Sequence, residues 1–204
     1  MRMRILAGVA VVALAGAIAG SAMAYRVGDT VKVATAADDF RLVDQNNLAQ
    51  SLRRLVDVDS IVVVSQMNGD AGSRKAGKAL EALQAQYPKS KFMMVNSTLG
   101  ATRAQVAAEA KSQGYTFPVL HDELQLAGEQ LGVTYAGEAF VLQPKTLKVL
   151  YHGSVEGAGK ALADLKAGKS VAVTEVKASG TAIAFPERTR GADGRVGEAI
   201  GGIA

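Results

Sequence analysis

The unbroken β-branched run Ile61-Val62-Val63-Val64 constrains this chain more than any other stretch. It is apolar at every position rather than at alternate ones, so it reads as a strand buried on both faces. A polar, glycine-containing loop comes next at residues 66–72. Beyond it an alanine-rich segment places Ala76, Leu80, Leu83 and Tyr87 at a helical period. A strand–loop–helix unit of this kind brings a strand end and a helix N-terminus together, where anion binding and chemistry are commonly placed. The loop offers Asn68, Asp70, Ala71, Gly72 and Ser73, and only the serine is a usual nucleophile.

Further strands are expected at residues 39–43, 91–96, 117–120, 138–142 and 148–151. Pro118 sits near the start of its strand, where a missing N–H does least harm. Leu48, Leu52, Leu55 and Val56 fall at helical spacing after the turn at 44–47, which predicts a short helix with Asn47 as its N-cap. Helices are also predicted over 103–113, 124–131 and 160–167, stopped by Gly114, Gly132 and Gly168. Residues 27–33 read as an edge hairpin, and 171–176 and 182–185 as terminal strands. Alternating strands and helices imply an α/β fold with a mixed, mostly parallel sheet covered by helices on both faces. The strands on either side of Gln143-Pro144-Lys145 form a closing antiparallel hairpin.

The ends differ from the middle. Arg2 and Arg4 precede an apolar run over 5–20 and the small-x-small triplet Ala22-Met23-Ala24, the three-part pattern of a cleavable secretory signal over residues 1–24. The other reading, an uncleaved anchor, suits a run this short and rich in Ala and Gly less well. After cleavage no stable membrane anchor is expected, and the location is periplasmic or secreted. Residues 25–185 form the expected domain. Residues 186–204 are rich in Gly and charge and are expected to be a flexible tail. A chain of 204 residues buries roughly 70% of its unfolded surface and needs no staple. It has no cysteine, which removes disulfides, thiolate metal sites and thiol catalysis together. Without Arg2 and Arg4 there are 21 basic and 19 acidic residues, a net charge of +2. Scattered Lys and Arg and the absence of tryptophan give no nucleic-acid surface.

Several segments together resemble the thioredoxin-fold redoxins related to alkyl hydroperoxide reductase and thiol-specific antioxidant proteins. They are Asp39-Phe40-Arg41-Leu42, the run 61–64, Met94-Val95-Asn96, Phe117-Pro118-Val119-Leu120-His121-Asp122 and Leu131-Gly132-Val133-Thr134. The stretch from Glu138-Ala139-Phe140-Val141-Leu142 to Tyr151-His152-Gly153 is similar to that family's closing hairpin. The resemblance covers about residues 27–185 and implies a thioredoxin-like fold. More narrowly, the chain resembles bacterial redoxin domains found beside cytochrome or copper-oxidase modules, which often end in a glycine–cysteine motif. Here Gly180-Thr181 stands in that place.

The departures from the family pattern bear on activity. In catalytic redoxins a cysteine opens the helix after the central strand, where helix N–H groups and the dipole lower its pKa. That position aligns with Ala71, and Gly72 stands where a proline is common. Asn68 replaces the threonine or serine of the peroxidase pattern, and Gly137 stands where the facing cis-proline would fall. The resemblance therefore implies a cysteine-less, non-catalytic member. Its degenerate site comprises Asn68, Asp70, Ala71, Gly72, Ser73, Arg74, Gly137 and Glu138, and is read as a binding surface. The partner implied is a periplasmic oxidoreductase or cytochrome, with no cofactor and no metal. The alternative is an oxidoreductase of antioxidant or peroxidase type, with a non-thiol mechanism at the same place.

Each residue also has a plainer reading. Asp70 can act as an acid or base, but one carboxylate without a partner more often caps the helix. Arg74 and Lys75, in the first turn, either bind an anion or face solvent. His121 and His152 are far apart and without cysteines, so they read as surface or hydrogen-bonded histidines at strand ends rather than metal ligands. Ser65, Ser73 and Ser154 lack a nucleophile-elbow pattern, and Gly69 and Gly72 alone do not make a phosphate loop.

Overall fold

A computed structural model describes residues 25–26, 35–172, 174–175, 179–186, 188–190 and 196–198. The expected signal at 1–24 and the hairpin at 27–33 lie outside the described residues. In chain order the strands are β1 (Tyr25–Arg26), β2 (Arg41–Asp44), β3 (Ala49–Ser51), β4 (Ile61–Gln66), β5 (Lys91–Asn96), β6 (Val119–His121), β7 (Ala139–Leu142), β8 (Val149–Gly153), β9 (Phe185–Pro186), β10 (Arg188–Arg190) and β11 (Val196–Glu198). The helices are α1 (Ala71–Gln86), α2 (Arg103–Gln113), α3 (Leu126–Leu131) and α4 (Val155–Lys166). The chain divides into two units, residues 27–185 and residues 1–26 with 186–204. In the second unit, β10 and β11 pair antiparallel, within the segment expected to be a tail. Among the described residues no helix is long and apolar enough to cross a membrane.

The larger unit is built on a seven-stranded sheet in the order β3-β2-β6-β5-β4-β7-β8. All six residues of β4 are buried. Their side chains alternate, as a pleated strand requires, between two apolar cores. Ile61 and Val63 join Phe40, Met93, Phe140, Leu131, Ile183 and Phe185 on one face. Val62 and Val64 join Leu80 of α1, Val106 of α2 and Leu162 of α4 on the other. The fold is therefore α/β, with a mixed sheet flanked by helices.

Its strand senses correct the expected, mostly parallel arrangement. Only β4–β5 and β5–β6 run parallel. β2–β3, β2–β6, β4–β7 and β7–β8 are antiparallel. Helices α1 and α2 each return the chain to a parallel neighbour. The six-residue α3 instead leads into β7, which runs antiparallel along the free edge of β4.

A second correction concerns residues 48–56. The helix predicted there is the strand β3 followed by a 3-10 turn at Leu52–Arg54. Asn47 is not an N-cap: it has φ +61° in the turn of the β2–β3 hairpin. The Asp44 carboxylate sets that turn, accepting from the backbone N–H of Asn46 at 2.8 Å and of Leu48 at 3.0 Å. Leu52 is buried and Leu48 is exposed, so the four-residue spacing of leucines does not mark one buried face. Residues 171–176 and 182–185, expected as strands, make isolated bridges, Glu175 to His152 and Ala182 to Tyr135, ahead of the two-residue β9. Residues 173 and 176–178 lie outside the described residues.

Helix α4 begins at Val155, five residues before its predicted start, with Ser154 accepting from the Gly157 N–H at 3.2 Å. Glycines in its first turns hide the start from a propensity reading, and packing explains Gly157. A Cβ there would overlap the hydroxyl of Tyr151, a fully buried ring whose hydroxyl donates to the Ser154 carbonyl. In an unobstructed helix Gly→Ala stabilises by about 1 kcal/mol. Here Gly157→Ala is expected to lower stability by about 1–3 kcal/mol through overpacking, seen as a lower urea midpoint at unchanged slope.

Candidate functional site

The site forms where β4 leaves the sheet. Asp70 caps α1, its carboxylate accepting from the Ser73 N–H at 2.6 Å. The buried Ser73 hydroxyl accepts from the Met67 N–H at 3.0 Å, which ties the loop back onto the helix. Ala71 and Gly72 are exposed at the first turn. Gly137 lies against that turn: a Cβ on it would stand 3.6 Å from the Gly72 carbonyl oxygen and from the Ala76 Cβ. Gly137 has φ +87°, in the left-handed region that favours glycine. Its N–H donates to the Ser65 carbonyl at 2.9 Å. The Ser65 hydroxyl donates to the Tyr135 carbonyl at 2.6 Å and accepts from the Glu138 N–H at 2.9 Å, which fixes the turn facing the helix.

Asp70 has a partner that sequence reading did not supply. The Thr181 hydroxyl donates to the other carboxylate oxygen at 2.6 Å, 111 positions along the chain. Partial burial pushes the Asp70 pKa up, but hydrogen bonds from Thr181, Ser73 and the Gly72 backbone outweigh it and hold the carboxyl below its ordinary range. Gly180-Thr181 is noticeable in sequence, but nothing there pairs it with Asp70.

Asn68 belongs to a buried amide cluster. Its side-chain oxygen accepts from Asn96 Nδ2 at 2.7 Å and from Gln66 Nε2 at 3.3 Å, and Asn96 Nδ2 also donates to Gln66 Oε1. Gln66 and Asn96 are register partners at the ends of β4 and β5 and are 1% exposed. The signal for them is a polar residue at the end of each strand, after an apolar run. The Arg74 guanidinium does not wait for an anion: it makes a two-point contact with Glu109 on α2, at 2.8 and 3.3 Å.

Glu138 does not face the loop. It is buried, its carboxylate accepting from the Thr134 N–H at 2.8 Å and from the Thr134 hydroxyl. His152 Nε2 stands 3.7 Å from it. His152 departs from the expected surface or hydrogen-bonded histidine. It is buried and stacked on Phe140 at 4.7 Å, and neither ring nitrogen has a hydrogen-bond partner. His121 does hydrogen-bond at its strand end, Nε2–H donating to the Ala101 carbonyl at 2.7 Å. It borders a shallow groove of about 390 Å³ lined also by residues 100–103 and Glu123. Among the described residues no group of three or more metal-ligating side chains comes together.

No protein-family model matches this chain, and no curated protein matches it. Solved structures do. A hypothetical protein of Sinorhizobium meliloti 1021 is similar at TM-score 0.65 and 22% identity, over 76% of this chain and 95% of that one. A putative thiol:disulfide interchange protein DsbE of Chlorobium tepidum is similar at TM-score 0.56 and 17% identity, over 68% and 98%. Peroxidoxin BcpB of Mycobacterium tuberculosis is similar at TM-score 0.54 and 23% identity, over 69% and 99%.

The Asp70 cap is expected to contribute about 1 kcal/mol, lost in Asp70→Ala. Its folded-state pKa lies below the unfolded value of about 3.9, so the contribution is full at neutral pH and fades as pH falls through the folded value. Urea melts of both proteins at pH 7 and in acid are expected to show the gap closing. A gap that stays constant would assign the effect to something other than the carboxylate. The likenesses and the strand order establish the architecture: this chain is a thioredoxin-like fold that carries no cysteine.

Proposed function

We propose that this chain is an exported, non-catalytic accessory or binding protein of an extracytoplasmic redox system, and that it docks a periplasmic oxidoreductase or cytochrome. The observation that carries the reading is position 71. The strand, loop and helix that present a thiol in redoxins are all in place, and the residue presented is an exposed alanine. The secretory pattern of residues 1–24 supports export. The similar structures named for peroxide and thiol–disulfide chemistry support the class of pathway.

A non-thiol mechanism at this place has little to work with. The Asp70 carboxylate is taken up by Ser73 and Thr181, the Ser73 hydroxyl is buried beneath the loop, and Arg74 is held by Glu109. The open surface is Ala71 and Gly72, flanked by the half-buried Asn68. An exposed surface with no free reactive side chain suits a protein partner better than a small substrate.

The test is capture from a periplasmic extract with residues 25–204 as bait, alongside the same bait carrying Ala71→Arg. The expected result is one retained protein with a haem spectrum or a titratable thiol pair, lost from the Ala71→Arg bait. Peroxide turnover with a dithiol reductant is expected to equal that of an Asp70→Ala, Arg74→Ala double variant. Turnover above that level, or equal retention by both baits, would sink the reading.

A further inference from the structure

Residues 179–185 lie along the degenerate site, and the segment is held unevenly. At its far end Ile183 and Phe185 are each 1% exposed in the core, and Gln125 Nε2 donates to the Ala184 carbonyl at 2.7 Å. At its near end Ser179, Gly180 and Thr181 are exposed. Among the described residues this tip is held by the Thr181 hydroxyl donating to Asp70 at 2.6 Å and the Ala136 N–H donating to the Thr181 carbonyl at 2.8 Å. Between the two ends, Ala182 bridges Tyr135 antiparallel and the Ile183 N–H donates to the Thr134 carbonyl at 2.9 Å. The fit at the tip is close: a Cβ at Gly180 would stand 2.7 Å from the Ala136 carbonyl oxygen.

Residues 134–136 run directly into Gly137, which packs on the first turn of α1. This segment of the chain thus takes up the Ala136 N–H beside the site, and its hydroxyl takes up the carboxylate at the head of the helix. We propose that residues 179–182 are a latch beside the degenerate site that occupies the Ala136 N–H and one Asp70 oxygen in cis, hinged on the anchored residues 183–185 and held by the Thr181–Asp70 hydrogen bond. Releasing it frees the Ala136 N–H and one Asp70 oxygen side by side. That pair receives an extended partner segment, which supplies a backbone carbonyl to the Ala136 N–H and a hydroxyl or N–H to Asp70. The identity of what docks rests on the function proposed above; the latch itself rests on the geometry alone.

Two variants loosen the tip by different means. Thr181→Val removes the hydroxyl and keeps the shape, and Gly180→Ala drives a methyl group against the Ala136 carbonyl. Backbone amide exchange on the full chain at neutral pH reads the result. In both variants the Ala136 amide is expected to exchange about tenfold faster, the size of one charge-assisted hydrogen bond. The amides of Ile183 and Val63 are expected to keep their rates. An unchanged Ala136 rate in both variants overturns the latch. So does acceleration of Ile183 and Val63 in step with Ala136, because the segment then opens only with the whole core. If Ala136 accelerates while Thr181→Val captures no more partner than the wild type, the docking role is overturned and the latch stands.

Discussion

β4 is used on all four sides. Its side chains are buried in two cores, and its backbone is hydrogen-bonded to β5 on one edge and to β7 on the other. Such a strand cannot shift by one residue, because every side chain would change face and both ladders would have to change register. The loop and helix that continue the chain are therefore held in place too. The chain leaves the sheet after Gln66 beside Asn96, and Asp70 then starts α1. β7 is fixed along β4, so the turn that precedes it, with Gly137, is brought against the first turn of that helix. The candidate site is the outcome of these constraints, and the hydrogen bonds of Ser65, Asp70 and Ser73 then fix its loop and facing turn locally.

The parts of the fold that were legible in the sequence are those where one physical signal dominates. Residues 61–64 and 92–95 are apolar without interruption because they are buried on both faces, and Gly114 ends α2 in the left-handed conformation that glycine favours. The parts that were not legible depend on partners far along the chain. Strand sense is one: nothing between residues 131 and 139 states that β7 will settle antiparallel to β4. The β2–β3 hairpin is another, since leucines spaced by four imitate a helix while the Asp44 carboxylate commits the backbone to a turn.

At the site, sequence located the loop and the Asp70 cap on α1, because these are local. It did not locate Thr181 on Asp70, Glu109 on Arg74, or the burial of Glu138 beside His152. Each of those is a contact between separate segments of the chain, and a charged or polar side chain looks the same in sequence whether it is buried or solvated. The consequence for function is direct. Asp70, Ser73 and Arg74, which suggest reactivity when read one at a time, are in the fold each engaged with another group.

Asp70 also gives the helix N-terminus a property that a thiol cannot supply. A cysteine at such a position alternates between thiolate, disulfide and oxidised forms, so the charge it shows a visitor tracks the surrounding redox poise. A carboxylate held below its ordinary pKa keeps one charge across the physiological range, and no oxidant or reductant changes it. A protein contacting this face meets the same electrostatic surface in an oxidising compartment as in a reducing one, a constant where redoxins present a variable.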